Sequence, residues 1–180
     1  MISDEPYEWA RHIARIAIID VDSKELLIVH DPKPRQIGTL KWAPNGKKIL
    51  YISAILSDRG LIGGDLYILN TSIKSEPVNI TQDSIGSVHY FDFIDNENVI
   101  VLSVDNAETE LWVMSLNKKG RMEKQIYKGK IGVNPLYQPK FSYSASSNTL
   151  ALVREDFNTP QEVWIGNIIK SKSYGLKSPT

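Results

Sequence analysis

The sequence predicts an all-β fold made of several small sheets, and two patterns carry that prediction. Short apolar runs follow one another along most of the 180 residues, with turn residues between them. This alternation is typical of a chain with many short strands. Aromatic residues also recur at a spacing of about 50 residues, which indicates a repeated structural unit of that size. The one candidate helix spans residues 5–15, and its apolar spacing is irregular.

The predicted strands are bounded by Gly, Asn, Asp and Ser, which favour turns. These strands lie at 15–21, 25–30, 39–43, 48–55, 65–70, 78–81, 88–94, 98–104, 110–116, 123–127, 139–143, 149–154 and 162–168. Pro44-Asn45-Gly46-Lys47 predicts a hairpin, because Asn-Gly supplies the positive φ of a tight turn. We expect Trp42, just before this turn, to pack between neighbouring units.

Two independent anchors mark the repeated unit. An acidic residue, an apolar residue and an aromatic recur as Asp65-Leu66-Tyr67, Glu110-Leu111-Trp112 and Glu162-Val163-Trp164. An upstream aromatic recurs as Trp42, Phe93 and Phe141. Because both anchors have the same rough period, we predict four strands per unit, with the acidic residue and its aromatic on the third strand. The aromatics Tyr67, Trp112 and Trp164 are expected to serve packing within or between units.

The second strand of each unit is apolar on both faces. Side chains alternate between the two faces of a strand, and in 49–56 both alternating sets are mainly apolar. The segments 99–102 and 150–153 show the same pattern. A sheet covered on one side alternates apolar and polar residues, so both faces must be covered here. Radially stacked four-stranded sheets meet this requirement, which favours a β-propeller over a β-sandwich.

The predicted organisation is a partial β-propeller of about three and a half four-stranded antiparallel blades. It comprises an N-terminal segment at 1–14, a half blade at 15–36, blades at 37–83, 85–129 and 131–168, and a C-terminal linker at 169–180. Closed propellers have about four to eight blades, so an apolar sheet face is expected to lie open at each end. Large apolar patches rarely stay bare. We therefore expect self-association through the open blade faces, or instability without missing sequence, such as a further domain, that covers them.

Composition argues against several classes of partner. The formal net charge is zero and the lysines are scattered, so we expect no nucleic-acid partner. No apolar run approaches the roughly 20 residues that span a bilayer, and the acidic N-terminus does not resemble a signal peptide. We expect no membrane contact and a cytoplasmic location. The sequence has no cysteine, which excludes disulfides and thiolate metal sites.

The sequence predicts no catalytic, cofactor-binding or metal-binding residue. It contains no G-x-S-x-G elbow and no α/β pattern to carry one. His12, His30 and His89 are isolated, and each is expected to be a surface or hydrogen-bonded residue. The acidic stretch at 95–98 lacks the features of a calcium loop and predicts a hairpin turn. The glycines of 60–64 lack the Lys-Ser/Thr that completes a phosphate-binding loop.

Three segments resemble a known family. Residues 42–49 look like the W-S-P-D-G-K-K-I repeat of TolB-type and peptidase-type propellers, and 64–70 look like the G-x-D-L-Y-V-L-D strand that follows it there. Residues 154–164 are similar to the final propeller blade of prolyl oligopeptidase and acylaminoacyl-peptidase relatives. Residues 175–180 lie near the place where the linker to their hydrolase domain would begin. Residues 93–98 depart from the repeat motif.

The resemblance implies a non-catalytic propeller segment of a serine-peptidase-like protein, related to dipeptidyl aminopeptidases and acylaminoacyl-peptidases. Such a segment gates or orients peptide substrates for a hydrolase domain. The acidic segment at 4–8 resembles only loosely the segment with which dipeptidyl-peptidase relatives bind a substrate's amino group. The alternative is a propeller of TolB or WD-repeat style, which serves as a platform for protein or peptide partners. A carbohydrate-active propeller lyase would need His or metal clusters that the sequence lacks.

Overall fold

The computed structural model describes residues 8–55, 63–71, 76–84, 86–117, 121–133 and 138–168. Within these ranges, thirteen strands form four antiparallel sheets. The fold class is all-β, as predicted, and the stacked sheets form a partial β-propeller. One short 3-10 helix, Glu8–Ile13, precedes the first strand. Among the described residues, the helix predicted at 5–15 takes the form of this 3-10 helix, in keeping with its irregular apolar spacing.

Each sheet is a meander in which every strand pairs antiparallel with the next strand of the chain. Sheet 1 contains β1 (Ile16–Ile19) and β2 (Leu26–His30). Sheet 2 contains β3 (Gln36–Trp42), β4 (Lys48–Ala54), β5 (Asp65–Asn70) and β6 (Val78–Asn79). Sheet 3 contains β7 (Ser87–Phe93), β8 (Asn98–Asp105), β9 (Glu108–Ser115) and β10 (Arg121–Gly129). Sheet 4 contains β11 (Phe141–Ser144), β12 (Thr149–Asp156) and β13 (Thr159–Asn167).

Every predicted strand overlaps an observed one. The two strands of sheet 1 agree with the predicted half blade, whereas sheet 4 has three strands in the described residues where four were predicted. The domain limits between the units stay a prediction. The linker predicted at 169–180, the segment before residue 8 and the loop at 60–62 lie outside the described residues.

The core of the described part consists of apolar layers between consecutive sheets. Between sheets 1 and 2 lie Ile16, Ile37, Ile49, Tyr51 and Leu69. The layer between sheets 2 and 3 includes Leu50, Ile52, Leu66, Phe91, Val99 and Val101. The layer between sheets 3 and 4 includes Ile100, Leu102, Leu111, Phe141, Leu150 and Leu152. Full burial of one such side chain contributes about 1.5–3 kcal/mol, so these layers hold the sheets face to face.

The second strands of sheets 2 and 3 are buried on both faces, as predicted. In β4 every residue after Lys48 is buried, and in β8 residues 99–102 are fully buried. The same prediction for 150–153 is wrong, because Ala151 and Val153 are only half-buried. Sheet 3 covers one face of sheet 4, and no described residue covers the other. Sheet 4 therefore shows the alternation of a sheet that is covered on one side.

The hairpin predicted at 44–47 is confirmed. Gly46 has a φ of 69°, and its N–H donates to the carbonyl of Ala43 at 2.9 Å. The expectation that Trp42 packs between blades is wrong, since its side chain is 46% exposed. Trp42 pairs with Ile49, whose side chain faces sheet 1. In the described residues sheet 1 has two strands, and it leaves the first strand of sheet 2 partly uncovered.

The upstream aromatic anchor is shifted by two residues in the last unit. Trp42 and Phe93 each pair with the second residue of the strand that follows. In sheet 4 this position belongs to Tyr143, whereas Phe141 pairs two residues further along β12. Side chains two residues apart share a face. Phe141 is therefore still buried against sheet 3, although it is not the equivalent of Trp42.

Candidate functional site

Acidic–aromatic pairs occupy the same place in sheets 3 and 4. The indole N–H of Trp112 donates to the carboxylate of Glu110 at 2.8 Å, and that of Trp164 donates to Glu162 at 3.1 Å. Both aromatics face the preceding sheet. Trp112 pairs with Val101, which lies in the layer between sheets 2 and 3. Trp164 packs on the layer between sheets 3 and 4. The anchor predicted from the sequence is thus one structural position with a packing role.

The acidic residue of sheet 2, Asp65, also accepts hydrogen bonds from nearby side chains. Asn79 donates to one carboxylate oxygen of Asp65 at 2.9 Å, and the hydroxyl of Thr81 donates to the other at 3.4 Å. Tyr67 stacks on Tyr51 with ring centres 5.5 Å apart, in the layer against sheet 1. The acidic residue of the third strand therefore orders the local structure in each of these three sheets.

Glu110 is a buried carboxylate near the start of β9. One of its oxygens lies 2.7 Å from the ammonium group of Lys128, which also lies 3.4 Å from Glu108. Burial alone would raise the pKa of Glu110, but hydrogen bonds from Lys128 and Trp112 outweigh burial and hold that pKa below its ordinary value. The hydrogen bond to Glu110 is also the main cause of the raised pKa of Lys128. Both groups are charged at neutral pH.

A groove of about 280 Å³ opens between sheets 2 and 3 beside Glu110. Met122 and the buried Val88 form the apolar part of its lining, and Asp83, Asp105 and Glu110 form the acidic part. The remaining lining residues are small or polar, namely Ser84, Gly86 and Ser103. Three acidic residues thus line the groove, and one of them, Glu110, is paired with Lys128. Sequence reasoning missed the groove, because its residues come from three separate segments.

The three histidines lie in three different elements. His12 is in the 3-10 helix, His30 in β2 and His89 in β7. Burial lowers the pKa of His89. Burial also lowers the pKa of His30, against the opposing influence of Glu76 and Asp31. Within the described ranges, no group of three His, Asp or Glu residues could hold a metal ion.

The hairpin turn predicted at 95–98 is confirmed. The carboxylate of Asp95 accepts hydrogen bonds from the backbone N–H groups of Glu97 and Asn98, each at 2.8 Å. Burial acts to raise the pKa of Asp95, but the hydrogen bonds from Asn98 and Glu97 lower it further than burial raises it. Asn96 of the same turn accepts a bond at 2.9 Å from the N–H of Asn45. This bond joins the equivalent turns of sheets 2 and 3.

Phe157 is fully exposed at the turn between β12 and β13. This turn joins the second and third strands of sheet 4, as the turn after Asp105 does in sheet 3. Phe157 therefore lies on the same side of the stacked sheets as the groove. Aromatic side chains are enriched at protein interfaces, which makes this side the candidate interaction surface.

Comparison with solved structures agrees with this architecture. TolB from Acinetobacter baumannii superimposes with a TM-score of 0.62 at 18% sequence identity, over 93% of this chain and 38% of that one. The chain has a TolB-like propeller fold. It spans little more than a third of the length of that TolB chain. No family model matches the chain, and no curated protein matches it.

Two other propellers are similar at lower TM-scores. The β-propeller domain of Cps50 (Swd1) from Myceliophteria thermophila gives 0.43 at 9% identity, over 94% of this chain and 65% of that one. The C-terminal WD40 domain of Sif2 gives 0.38 at 13% identity, over 93% of this chain and 56% of that one.

In the described part of this TolB-like propeller, no helix is long and apolar enough to cross a membrane.

Proposed function

We propose that the chain is a platform for a protein or peptide partner, which docks on the side of the sheets that carries the second-to-third-strand turns. The groove between sheets 2 and 3 carries this proposal. Its lining brings the apolar Met122 together with the acidic residues Asp83 and Asp105. A lysine or arginine side chain suits this arrangement, because its stem packs on apolar surface while its charged end meets carboxylates.

Phe157 extends the same surface onto sheet 4. Its ring is fully exposed, and aromatic residues are frequent anchors in interfaces. A partner that places a basic residue in the groove and an apolar residue against Phe157 would contact two neighbouring sheets at once. The partner expected here is therefore a segment with both basic and apolar residues.

Fluorescence anisotropy with a labelled lysine-containing peptide tests the groove. We expect binding to weaken as salt is raised. Asp83→Asn and Asp105→Asn should each weaken it about two- to fivefold, because a partly exposed ion pair contributes about 0.5–1 kcal/mol. The control is the same peptide with norleucine in place of lysine. Equal binding of the two peptides, or no effect of either aspartate, would contradict the proposal.

A second candidate function is the one that the family resemblance implies, a non-catalytic segment of a serine-peptidase-like protein that gates or orients peptide substrates. Its support is the sequence resemblance of residues 154–164 to the final propeller blade of that family. This segment is firmly held, because the buried Arg154 pairs with Asp156 and stacks over the ring of Trp164, 4.2 Å from its centre.

Hydrolysis assays test this second candidate. The chain alone is expected to cleave neither chromogenic peptide nor chromogenic ester substrates. Turnover that disappears on substitution of one serine would contradict the non-catalytic assignment. The adjoining coding sequence decides between the two functions, since an α/β domain with a serine elbow supports the peptidase relationship.

A further inference from the structure

Four apolar positions recur on one face of sheets 2, 3 and 4, and we call them the apolar square. Two come from the second strand and two from the residues that pair with them on the third strand. In sheet 2 they are Leu50, Ile52, Leu66 and Ile68. In sheet 3 they are Ile100, Leu102, Leu111 and Val113. In sheet 4 they are Ala151, Val153, Val163 and Ile165.

The next sheet covers the square in sheets 2 and 3. Leu50, Ile52 and Leu66 are fully buried in the layer shared with sheet 3. Ile100, Leu102 and Leu111 are fully buried in the layer shared with sheet 4. Each square thus belongs to an existing sheet-to-sheet interface. In both sheets the apolar square is therefore a surface on which the next sheet packs.

The square of sheet 4 is uncovered in the described structure. Val163 is 52% exposed, although Leu66 and Leu111 are fully buried at the same position of sheets 2 and 3. Ile165 is 46% exposed, and its equivalents Ile68 and Val113 are partly buried. A shallow apolar pocket lined by Ala151, Val153 and Val163 lies on this face. Side chains of this kind are typical of a covered face, so we infer that another sheet packs here.

The opposite end of the stack has a second apolar face, which no other described residue covers. Ile16 and Ile18 of sheet 1 pack toward sheet 2. The other face of sheet 1 presents Ala17, Ile19, Leu26 and Ile28, in which Ile19 pairs with Leu26 and Ala17 with Ile28. Ile19, Leu26 and Ile28 are exposed. We call this surface the outer face of sheet 1.

The residue just before the acidic residue of the third strand contacts the next sheet or the segment leading to it in sheets 2 and 3, but not in the described part of sheet 4. Gly64, just before the acidic residue of sheet 2, exchanges two backbone hydrogen bonds with Val88 of sheet 3, at 2.8 and 3.0 Å. Thr109, at the same position in sheet 3, donates from its hydroxyl to the carbonyl of Ile131 at 2.6 Å, in the segment that leads into sheet 4. Gln161, at the same position in sheet 4, is exposed. A following sheet would meet it there.

We propose that two copies of this chain join head to tail, with the apolar square of sheet 4 in one copy packed against the outer face of sheet 1 in the other. The two faces lie at opposite ends of one stack, so they meet between copies. Head-to-tail contact continues the order of stacking already present inside each chain. Two copies bring eight sheets together, four from each chain, which is within the range of about four to eight that closed propellers contain.

A symmetric contact between two copies of the square is less favourable. It would bury Val163 and Ile165 in both copies but leave the outer face of sheet 1 in water. Head-to-tail contact covers both faces, and in a closed ring of two it occurs twice. This arrangement therefore removes more apolar surface from water.

Analytical ultracentrifugation over a wide range of protein concentration tests the proposal. The unmodified chain is expected to sediment as a dimer and to dissociate on dilution. The variants Val163→Lys/Ile165→Lys, in the square, and Ile19→Lys/Ile28→Lys, in sheet 1, are each expected to sediment as monomers. Val78→Lys is the matched control, an exposed apolar residue of sheet 2 outside both faces, and should remain dimeric. A chain that stays monomeric at the highest concentration would overturn the proposal and point to a different covering element.

Disulfide trapping separates head-to-tail from symmetric contact and needs only mild substitutions. The chain has no cysteine, so Ile165→Cys and Ile28→Cys each introduce a single thiol. We expect a mixture of the two variants to form a covalent heterodimer on mild oxidation, at least about tenfold faster than Ile165→Cys alone forms a homodimer. Rapid crosslinking of Ile165→Cys with itself would contradict head-to-tail contact, as would a mixture that does not crosslink. Circular dichroism of each variant confirms that it is folded.

Discussion

Lys41 and Asp92 form an ion pair between the first strands of sheets 2 and 3, with 2.8 Å between the ammonium nitrogen and a carboxylate oxygen. Lys41 also donates to the hydroxyl of Tyr90 at 3.0 Å and lies 4.7 Å from the centre of its ring. Burial alone would lower the pKa of Lys41, but its contacts with Asp92 and Tyr90 raise it. The lysine therefore stays charged and adds a side-chain link between two sheets that also share the backbone bridge of Gly64 and Val88.

Removal of this ion pair should destabilise the stack. The two side chains are only 27% and 26% exposed, so we expect Asp92→Asn and Lys41→Met each to lower the free energy of unfolding by about 1 kcal/mol. Urea unfolding of both single variants and the double variant measures their coupling. The exposed pair of Lys33 and Asp31, 3.8 Å apart, is the control, and Asp31→Asn should have no measurable effect. Strictly additive effects of Asp92→Asn and Lys41→Met would show that the pair contributes nothing.

Equivalent squares should respond differently to the same truncation. Ile100→Ala removes a fully buried side chain between sheets 3 and 4, and we expect a loss of about 3 kcal/mol. Ile165→Ala makes the same chemical change in the square of sheet 4, where the side chain is half-exposed, and should cost less than about 1 kcal/mol. Urea unfolding at low protein concentration measures both. Similar losses at the two positions would contradict the placement of sheet 4 at an open end.

The turn before β4 depends on a positive φ. Gly46 has a φ of 69°, and no atom lies within 4 Å of the place where a Cβ would be. Gly46→Ala should therefore cost about 1 kcal/mol through backbone strain alone. Gly46→Asn should cost less, because asparagine tolerates this conformation better than alanine. Thermal unfolding compares the two variants, and a larger loss for asparagine than for alanine would contradict this explanation.

The partly buried His89 should make stability depend on pH. Burial lowers the pKa of His89, so below an ordinary value of about 6.5 the unfolded state binds more protons than the folded state. The free energy of unfolding should therefore fall as pH is lowered from about 7.5 to 5.5. His89→Asn should flatten this dependence. His30→Asn should flatten it less, because the carboxylates of Glu76 and Asp31 oppose the effect of burial there. An unchanged slope in His89→Asn would exclude this residue as a source.

Local signals predicted most of the fold. The strand at 65–70 coincides with β5, and the Asn-Gly turn at 45–46 has the expected positive φ, because both depend on neighbours in the chain. The acidic–aromatic repeat identified one structural position in three sheets, since each aromatic must face the preceding sheet. Phe141 lies two residues before Tyr143, the structural equivalent of Trp42 and Phe93. It is buried nonetheless, because residues two apart on a strand share a face.

Features set by contacts between distant segments could not be predicted. The groove joins Asp83, Asp105 and Glu110, which follow no common motif. Lys41 and Asp92 are likewise brought together only by the stacking of sheets 2 and 3. The half-buried Val153 shows the same limit, because three apolar residues precede it, as three precede Leu102. Only the absence of a covering sheet among the described residues distinguishes the two positions.

Methyl nuclear Overhauser spectroscopy tests most directly whether consecutive sheets lie face against face. The methyl groups of Ile100 and Leu102 should show cross-peaks to Phe141, Leu150 and Leu152 across the layer between sheets 3 and 4. The methyl groups of Leu50 and Ile52 should likewise show cross-peaks to Phe91 across the layer between sheets 2 and 3. Cross-peaks confined to neighbours within one sheet, with none across either layer, would contradict the stacked-sheet architecture.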